Sequence, residues 1–194
     1  MMHPLAMPTT RVQATVVSPW IVQHEALEPF MCQAPAQEPT PLPYLSSVSH
    51  TVPDIHMVAA VRPQGSAQAY ETCHSHFRDV YWTFQQMLAH HTIGGCNIRA
   101  GDIIASGTVS SSADADSCAA EQQKSDTVSC SAQRTCGCLL ELTRAGKHSI
   151  ELATGVQRKW LHDGDTVEMH AWCEAASMRL GFGPCHMQLV PAFR

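Results

Sequence analysis

The longest periodic pattern of apolar residues lies between Tyr70 and His91. Its members recur every three or four residues, which is the repeat of one face of an α-helix. The residues on this face are Phe77, Val80, Tyr81, Phe84, Leu88 and His91. Gly94 and Gly95 follow, and glycine tolerates the left-handed backbone that ends many helices. The pattern therefore predicts one long helix over Tyr70–His91.

The other apolar patterns are short and are separated by turn residues. Ile55–Val61 has the length and the partly alternating polarity of a strand. Five further segments are strand candidates: Asp102–Val109, Cys138–Thr143, Ser149–Leu152, Thr166–Cys173 and Ser177–Phe182. Glycine and aspartate between several of them supply turns. One long helix among many short strands predicts a mainly β domain of the α+β class.

The first 45 residues follow neither pattern. Residues 1–14 have no clear period, and we expect an irregular N-terminus there. From Thr15 to Leu45 the chain carries six prolines, and proline lacks a backbone donor and is excluded from helix interiors. We expect extended segments and turns over a core, with one helical turn at His24–Phe30.

Residues 111–137 interrupt the alternation of strands and turns. This stretch contains no Leu, Ile, Phe, Met, Tyr or Trp. It therefore offers little apolar surface to offset the entropy of ordering the chain. We predict a polar surface insertion at 111–137 that is disordered.

Composition and charge restrict the class of protein. The chain has 194 residues, of which 44% are hydrophobic and 15% charged, as in a globular protein with one core. The net charge is −5 without a basic stripe, so we expect no nucleic-acid partner. No apolar run is long enough to span a membrane. Nine cysteines without a secretory signal indicate reduced thiols and a cytoplasmic location.

Several segments, in order along the chain, resemble the fumarylacetoacetase family. The most specific is VYWTFQQMLAHHTIGGCNIRAGDIIASGTVS at 80–110. The others are TVVSPWIV at 15–22, PLPYL at 41–45, DIHMVAAV at 54–61, LLELTRAGKHSIEL at 139–152, LHDGDTVEMHAWC at 161–173 and RLGFGPC at 179–185. A collinear set over most of the chain is hard to obtain by chance. Residues 15–194 therefore resemble the C-terminal portion of the family.

The resemblance implies a fold and an activity. The fold would be an incomplete mixed β-roll, and the family's roll houses Mg²⁺ or Ca²⁺. The reaction would be hydrolysis of 4-fumarylacetoacetate to fumarate and acetoacetate, the last step of tyrosine catabolism, in a homodimer. In that reaction a metal stabilises the enolate-like leaving group. A histidine activates water as general base and is oriented by a glutamate.

Three residues fall on functional positions of the family. Glu141 matches the glutamate that partners the catalytic histidine, although on spacing alone it could be a carboxylate at a sheet edge. Thr108 matches a threonine that contacts the substrate, and it could equally cap a turn at a strand end. Thr15 matches a threonine at the metal site. Arg11 stands where the family has a lysine, and arginine is a poor substitute for a compact ammonium group.

Histidines and cysteines suggest zinc as an alternative. Cys73–His76 and His90–His91 would lie at opposite ends of the predicted helix, on the order of 20 Å apart, too far to share one ion. Structural zinc sites have closely spaced ligand pairs, so we interpret these histidines as helix surface. The other candidate ligands are Cys118, Cys130, Cys136 and Cys138. Their spacing matches no recognised zinc motif, so incidental cysteines are the simpler interpretation.

The acidic residues argue against activity of this chain alone. A hard divalent cation takes several carboxylate oxygens. The family draws these, and its general-base histidine, from sequence ahead of the position of Thr15, where this chain has neither Asp nor Glu. Asp54, Asp102, Asp163 and Asp165 have counterparts in the family at turns and strand starts. We therefore do not expect these four residues to form a second metal site. We therefore expect the N-terminal metal-binding half to be missing and the isolated chain to be inactive; the alternative is a non-catalytic remnant or interaction module.

Overall fold

The computed structural model describes residues 15–46, 49–111, 127–129 and 135–192. Within these ranges the strands are β1 (Met31–Gln33), β2 (Thr51–Pro53), β3 (Ile55–Arg62), β4 (Tyr70–His76), β5 (Thr127–Ser129), β6 (Ser149–Ala153), β7 (Val156–Arg158), β8 (Thr166–Ala175), β9 (Met178–Gly181) and β10 (Cys185–Gln188). The α-helices are α1 (Phe84–Ile93) and α2 (Leu139–Leu142). Short 3₁₀ turns cover His24–Phe30, Pro43–Leu45 and Phe77–Asp79. The described residues are thus mainly β, as the sequence predicts.

The main sheet is built around the ten-residue strand β8. One edge of β8 pairs antiparallel with β3, from Ile55 opposite Cys173 to Arg62 opposite Thr166. The other edge pairs with β10 along its first half and with β9 along its second half. Strand β4 pairs antiparallel with the free edge of β3. The strand order is therefore β10-β8-β3-β4, with β9 also on β8.

Two smaller sheets flank the main one. Strands β1 and β2 form an antiparallel pair. Strand β6 pairs antiparallel with β7 and parallel with β5, so parallel and antiparallel pairs coexist. Strand β5 falls inside the predicted insertion at 111–137, and residues 112–126 and 130–134 lie outside the described residues. Disorder of the insertion stays a prediction, as does closure of the sheets into a roll.

The apolar side chains form two clusters. The larger contains Phe30, Val52, Phe77 and Cys173 and lies between the N-terminal segment and the main sheet. The smaller is made by Val61, Leu142, Ile150 and Leu152, and it joins α2 and β6 to β3. Leu142 and Ile150 are each only 1% exposed. The second cluster therefore fixes the position of the helix that carries Glu141.

The prediction of one long helix over Tyr70–His91 is wrong in its first half. Residues 70–76 form β4, and α1 begins only after Thr83. The side chain of Thr83 accepts a hydrogen bond from the Gln86 backbone N–H, and the Gln86 side chain accepts one from the Thr83 N–H. This capping box starts the helix at that point. Upstream, Cys73, Ser75 and Phe77 are buried at every second position, which is the strand period.

Most of the other predicted elements are confirmed. The helical turn at His24–Phe30 and the strand at Ile55–Val61 are present, and β6, β8 and β9 cover the last three predicted strands. Two predictions are wrong: Asp102–Val109 has no regular structure, and Cys138–Thr143 contains α2 instead of a strand. A short apolar run such as Leu139–Leu142 does not distinguish strand from helix, and leucine and glutamate favour the helix. Within the described residues, the helices fall short of the length and apolar character needed to cross a bilayer.

Candidate functional site

An open cavity of about 460 Å³ lies over one face of the main sheet. Its floor is formed by Met57 and Ala59 of β3, Cys73 and Ser75 of β4, and Ala171 of β8. These residues share a face because alternate residues of a strand point to the same side. Burial raises the pKa of the Cys73 thiol, so this cysteine is a neutral floor residue at physiological pH.

The first wall of the cavity is the segment 106–109, which carries Thr108. Gly137 lies directly against this segment: a Cβ atom at Gly137 would be 2.6 Å from Thr108 Cγ2. Any side chain at position 137 would therefore push the segment away. The exposed hydroxyl-bearing side chain of Thr108 is held at the cavity by this close packing.

Another part of the cavity lining joins the segments 18–20 and 182–184. Ser18 Oγ donates a hydrogen bond to the Pro184 carbonyl at 3.4 Å. A Cβ atom at Gly183 would lie 2.6 Å from Trp20 Cγ, and Gly183 has a φ of +72°, which a larger residue rarely adopts. Two of the segments that resemble the family, SPW and GFG, thus build this part of the lining together.

Glu141 lies in α2, not on the strand that the sequence pattern predicts. Its Oε2 accepts hydrogen bonds from Ser110 Oγ at 2.6 Å and from the Gly137 N–H at 3.0 Å. Gly137 therefore contacts both Thr108 and Glu141 and brings the two predicted site residues to one place. Thr108 and Gly137 line the cavity, and Glu141 is joined to it through Gly137.

Thr15 is the first residue that the structure describes. It is exposed in an irregular segment three residues before Ser18. Among the described residues that line the cavity, Ser18 is present and Thr15 is not. The structure thus brings Thr108 and Glu141 together and leaves Thr15 at the margin.

Three of the four acidic residues that the sequence assigns to turns and strand starts make structural contacts: Asp54, Asp102 and Asp165. Asp54 binds Arg78 at 3.0 Å, and Asp102 accepts a hydrogen bond from the Arg99 N–H at 2.8 Å. Asp165 is fully buried and binds the Arg158 guanidinium through both carboxylate oxygens. These contacts agree with the prediction that such acids occupy turns and strand starts.

The described residues do not fit Mg²⁺ or Ca²⁺. Both ions prefer several carboxylate and carbonyl oxygens. Among the residues with described side chains, the group of three or more His, Cys, Asp or Glu close enough to share an ion consists of His56, His74 and His76. Imidazole nitrogen suits zinc, copper or nickel instead. The donors for a hard cation are therefore not assembled within this part of the chain.

The three histidines lie on the sheet face opposite the cavity. His56 of β3 is directly opposite His76 of β4, and His74 is two residues from His76 on the same strand. Burial and the neighbouring His76 lower the pKa of His56. The interpretation of Cys73–His76 as helix surface is wrong, because β4 sends Cys73 and Ser75 to the cavity and both histidines to the other face.

His90 and His91, at the end of α1, are not part of this cluster and contact other residues. His90 Nδ1 is 3.0 Å from the Tyr44 hydroxyl, and His91 Nε2 is 3.2 Å from Cys96 Sγ. His56 was missed by sequence reasoning. The alternation His-Ser-His next to a second strand with a histidine would have indicated the cluster, had β4 been predicted as a strand. Cys118 and Cys130 lie outside the described residues, so a zinc site in the insertion is untested.

Known proteins match nearly the whole chain. A family model described as Fumarylacetoacetate (FAA) hydrolase C-terminal matches residues 3–190. A fumarylacetoacetase of Oryza sativa subsp. japonica is 40% identical over 179 residues, which is 92% of this chain and 37% of the relative. Fumarylacetoacetases of Bos taurus and Homo sapiens are each 38% identical over 178 residues, 92% of this chain and 38% of the relative.

The chain thus spans less than two-fifths of the length of these relatives. The family match, by contrast, covers nearly every residue of the chain and includes the lining of the cavity. This chain belongs to the fumarylacetoacetate (FAA) hydrolase C-terminal family.

Proposed function

We propose that this chain forms the C-terminal part of a fumarylacetoacetase, which hydrolyses 4-fumarylacetoacetate to fumarate and acetoacetate. The observation that carries the proposal is the shared contact of Gly137 with Thr108 and Glu141 at the edge of the cavity. Thr108 and Glu141 are 33 residues apart in sequence (141 − 108), and the resemblance to the family implies a functional position for each. The named relatives support the same reaction.

Two residues of this chain have defined roles in the proposed site. The Thr108 hydroxyl donates a hydrogen bond to a carboxylate of the substrate from the wall of the cavity. Glu141 accepts a hydrogen bond from the imidazole that acts as general base, and its negative charge stabilises the imidazolium that forms. The hydrogen bonds from Ser110 and Gly137 go to Oε2, which leaves Oε1 for that imidazole.

We propose a bound divalent cation only for a longer protein that includes the N-terminal part of the relatives. When bound, Mg²⁺ or Ca²⁺ would polarise the dicarbonyl group of the substrate. Its carboxylate ligands and the general-base histidine would come from the part of the relatives that this chain does not span. Thr15, at the margin of the cavity, is the position of this chain that would meet that metal site. A cytoplasmic homodimer is the assembly we expect for the complete enzyme.

A fusion protein tests the proposal. The N-terminal part of the rice fumarylacetoacetase that has no counterpart in this chain would be joined ahead of Thr15. Consumption of 4-fumarylacetoacetate would be followed with Mg²⁺ present and after chelation. The proposal expects metal-dependent turnover by the fusion and no turnover by the isolated chain. A folded fusion that binds Mg²⁺ without turnover would instead favour the alternative, a non-catalytic module of the same fold.

A further inference from the structure

We propose that His56, His74 and His76 form a binding site for a divalent transition metal of the zinc class, on the face of the main sheet opposite the cavity. The site is separate from the proposed hydrolytic centre. Its ligands are neutral nitrogen donors, whereas the proposed centre takes a hard cation through oxygen. The two sites would therefore respond to different metals.

Strand geometry brings the three imidazoles together. Cross-strand partners on one face have Cβ atoms about 4.5–5.5 Å apart, and residues two apart on a strand share that face. One ligand atom from each ring lies within 4.8 Å of the others. A tetrahedral zinc ion with Zn–N bonds of about 2.0–2.1 Å needs its ligand atoms roughly 3.3 Å apart. Small rotations of the His74 and His76 side chains toward His56 would close that difference.

Unpaired polar atoms at the cluster point to a ligand. His74 Nε2 and His76 Nδ1 are buried and have no hydrogen-bond partner, and Asp54 Oδ1 next to them is in the same state. Leaving buried polar atoms unpaired costs about 1–3 kcal/mol for each group, so such atoms in native proteins call for an explanation. A metal ion bound through the Nε2 atoms would be the missing partner of His74 Nε2, whereas His76 Nδ1 and Asp54 Oδ1 face each other at 3.6 Å.

Carboxylates are placed to support two of the rings. Asp54 Oδ1 lies 3.6 Å from His76 Nδ1, and Glu71 Oε1 lies 3.9 Å from His74 Nδ1. Metal-ligating histidines commonly donate their second ring N–H to a carboxylate, which fixes the tautomer. With Nδ1 facing a carboxylate in both residues, the Nε2 atoms are the ones available to a metal.

Aromatic packing restricts the third ring. His56 stacks on Trp172 of β8 with ring centroids 5.2 Å apart and planes 7° apart. The ring of His56 also contacts the ring of His76 edge-on, with the ring centroids 4.4 Å apart. Arg179 lies 5.0 Å from the centroid of Trp172. Because the ring of His56 is held by packing, little conformational entropy is lost when it binds a metal.

The chemistry of three neutral imidazoles selects the metal class. Imidazole binds Zn²⁺, Cu²⁺, Ni²⁺ and Co²⁺, whereas Mg²⁺ and Ca²⁺ require oxygen ligands. Three protein ligands leave one position of a tetrahedral ion for water or another ligand. We therefore choose Zn²⁺ to measure affinity and Co²⁺ to report the ligands.

The test uses the whole 194-residue chain, reduced and stripped of metal with a chelator. Zn²⁺ binding is measured by titration calorimetry in the parent, in His74→Ala and in His170→Ala. His74 is 40% exposed, so its loss does not threaten the fold. His170 is the matched control, because it is an exposed histidine of β8 opposite Val58, on the same sheet face and outside the cluster.

The proposal expects one Zn²⁺ per chain that depends on the cluster. His74→Ala should raise Kd by more than about 10-fold, since even loss of a supporting carboxylate costs about 10–100-fold. His170→Ala should bind as the parent does. Bound Co²⁺ should show ligand-field bands without thiolate charge transfer. The absence of Zn²⁺ binding, equal affinity in His74→Ala, or a thiolate–cobalt band that reveals cysteine ligands would each overturn it.

Discussion

Ser110 Oγ donates a 2.6 Å hydrogen bond to Glu141 Oε2 and thereby joins the end of the 80–110 segment to helix α2 across 31 residues of sequence. The same carboxylate oxygen accepts the Gly137 N–H. The two ends of the polar insertion therefore meet at Glu141. This arrangement places Glu141 next to the wall that carries Thr108, whatever the length of the chain between them.

Replacing Glu141 tests its role in the proposed reaction. In the fusion with the rice N-terminal part, Glu141→Gln should lower kcat by about 10²–10⁴-fold, as in triads that lose the carboxylate partner of their histidine. Glutamine keeps an acceptor for Ser110 and Gly137 but cannot stabilise an imidazolium by charge. Thermal unfolding should change little. Glu151→Gln is the matched control, because Glu151 also accepts a backbone N–H, from Gly155, away from the cavity. Parental kinetics in Glu141→Gln would show that this residue is only structural.

Gly137 should tolerate no side chain. In Gly137→Ala the new Cβ would lie 2.6 Å from Thr108 Cγ2 and against the carbonyl of Val109. Forcing the segments apart should lower the free energy of unfolding by about 1–3 kcal/mol, which urea denaturation would measure. Gly181→Ala is the control, because no atom lies within 4 Å of a Cβ there. Equal stability of the two variants would contradict the close packing of this wall.

The insertion should contribute little to stability between its ends. Residues 112–134 would be replaced by a short Gly-Ser turn, with Ser111 and Gly137 kept because Ser111 Oγ accepts the His76 N–H and Gly137 binds Glu141. Changing the length of a flexible loop costs little, about 0.6 kcal/mol for each doubling. The melting temperature should therefore stay within a few degrees, about the shift that 1 kcal/mol produces.

A large loss of stability in this replacement would indicate that the insertion is a structural element. The first candidate for the stabilising part would be strand β5, which pairs in parallel with β6. Zinc retained by the parent through Cys118, Cys130, Cys136 and Cys138, and lost with the insertion, would have the same meaning. In the spectrum of bound Co²⁺, a thiolate charge-transfer band would identify a cysteine site in the insertion, and its absence would be consistent with the histidine site.

The buried ion pair of Asp165 and Arg158 should dominate the acid sensitivity of the fold. Asp165 binds Arg158 at 2.8 and 2.9 Å and also accepts the backbone N–H groups of His162 and Gln64. Chiefly the Arg158 hydrogen bonds lower the pKa of Asp165 to about 2. Because this value is below the unfolded pKa of about 3.9, the pair stabilises the fold above that pH and loses its contribution as pH falls toward 2.

Asp165→Asn should lower the free energy of unfolding by about 3–5 kcal/mol at neutral pH, since it leaves the guanidinium of Arg158, whose side chain is only 13% exposed, without its charge partner. The variant should also show a weaker fall of stability between pH 4 and 2 in urea denaturation. Glu168→Gln is the control, because its ion pair with Arg62 is partly exposed and should contribute only about 0–1 kcal/mol. An equal effect of the two substitutions would contradict the dominance of the buried pair.

Sequence patterns predict the described β structure well where one side of a strand is buried. Ile55–Val61 and Thr166–Cys173 alternate in polarity and form the centre of the sheet. The error over Tyr70–His91 has a physical cause: Phe77, Val80, Tyr81 and Phe84 have helical spacing, yet they lie in a 3₁₀ turn, the segment after it and the start of α1. Of the four, only Phe77 is fully buried. The capping box at Thr83 was the local signal for the true helix start.

The candidate site was less accessible to residue-by-residue reasoning. No property of Glu141 or Thr108 alone distinguishes them from surface residues, and their contact through Gly137 depends on packing between distant segments. The collinear resemblance supplied what the local pattern could not. The histidine cluster was hidden for another reason, because it depends on the register between β3 and β4, which a helix over residues 70–91 would not produce.

We propose that this chain supplies one side of a fumarylacetoacetase site and that the ligands for the hard cation come from the part of the relatives that it does not span. The most direct measurement is the hydrolysis of 4-fumarylacetoacetate, with and without Mg²⁺, by the purified 194-residue chain and by its fusion to the rice N-terminal part. We predict no turnover and no Mg²⁺-dependent thermal shift for the chain, and metal-dependent turnover for the fusion. Metal-dependent turnover by the 194-residue chain alone would contradict the account.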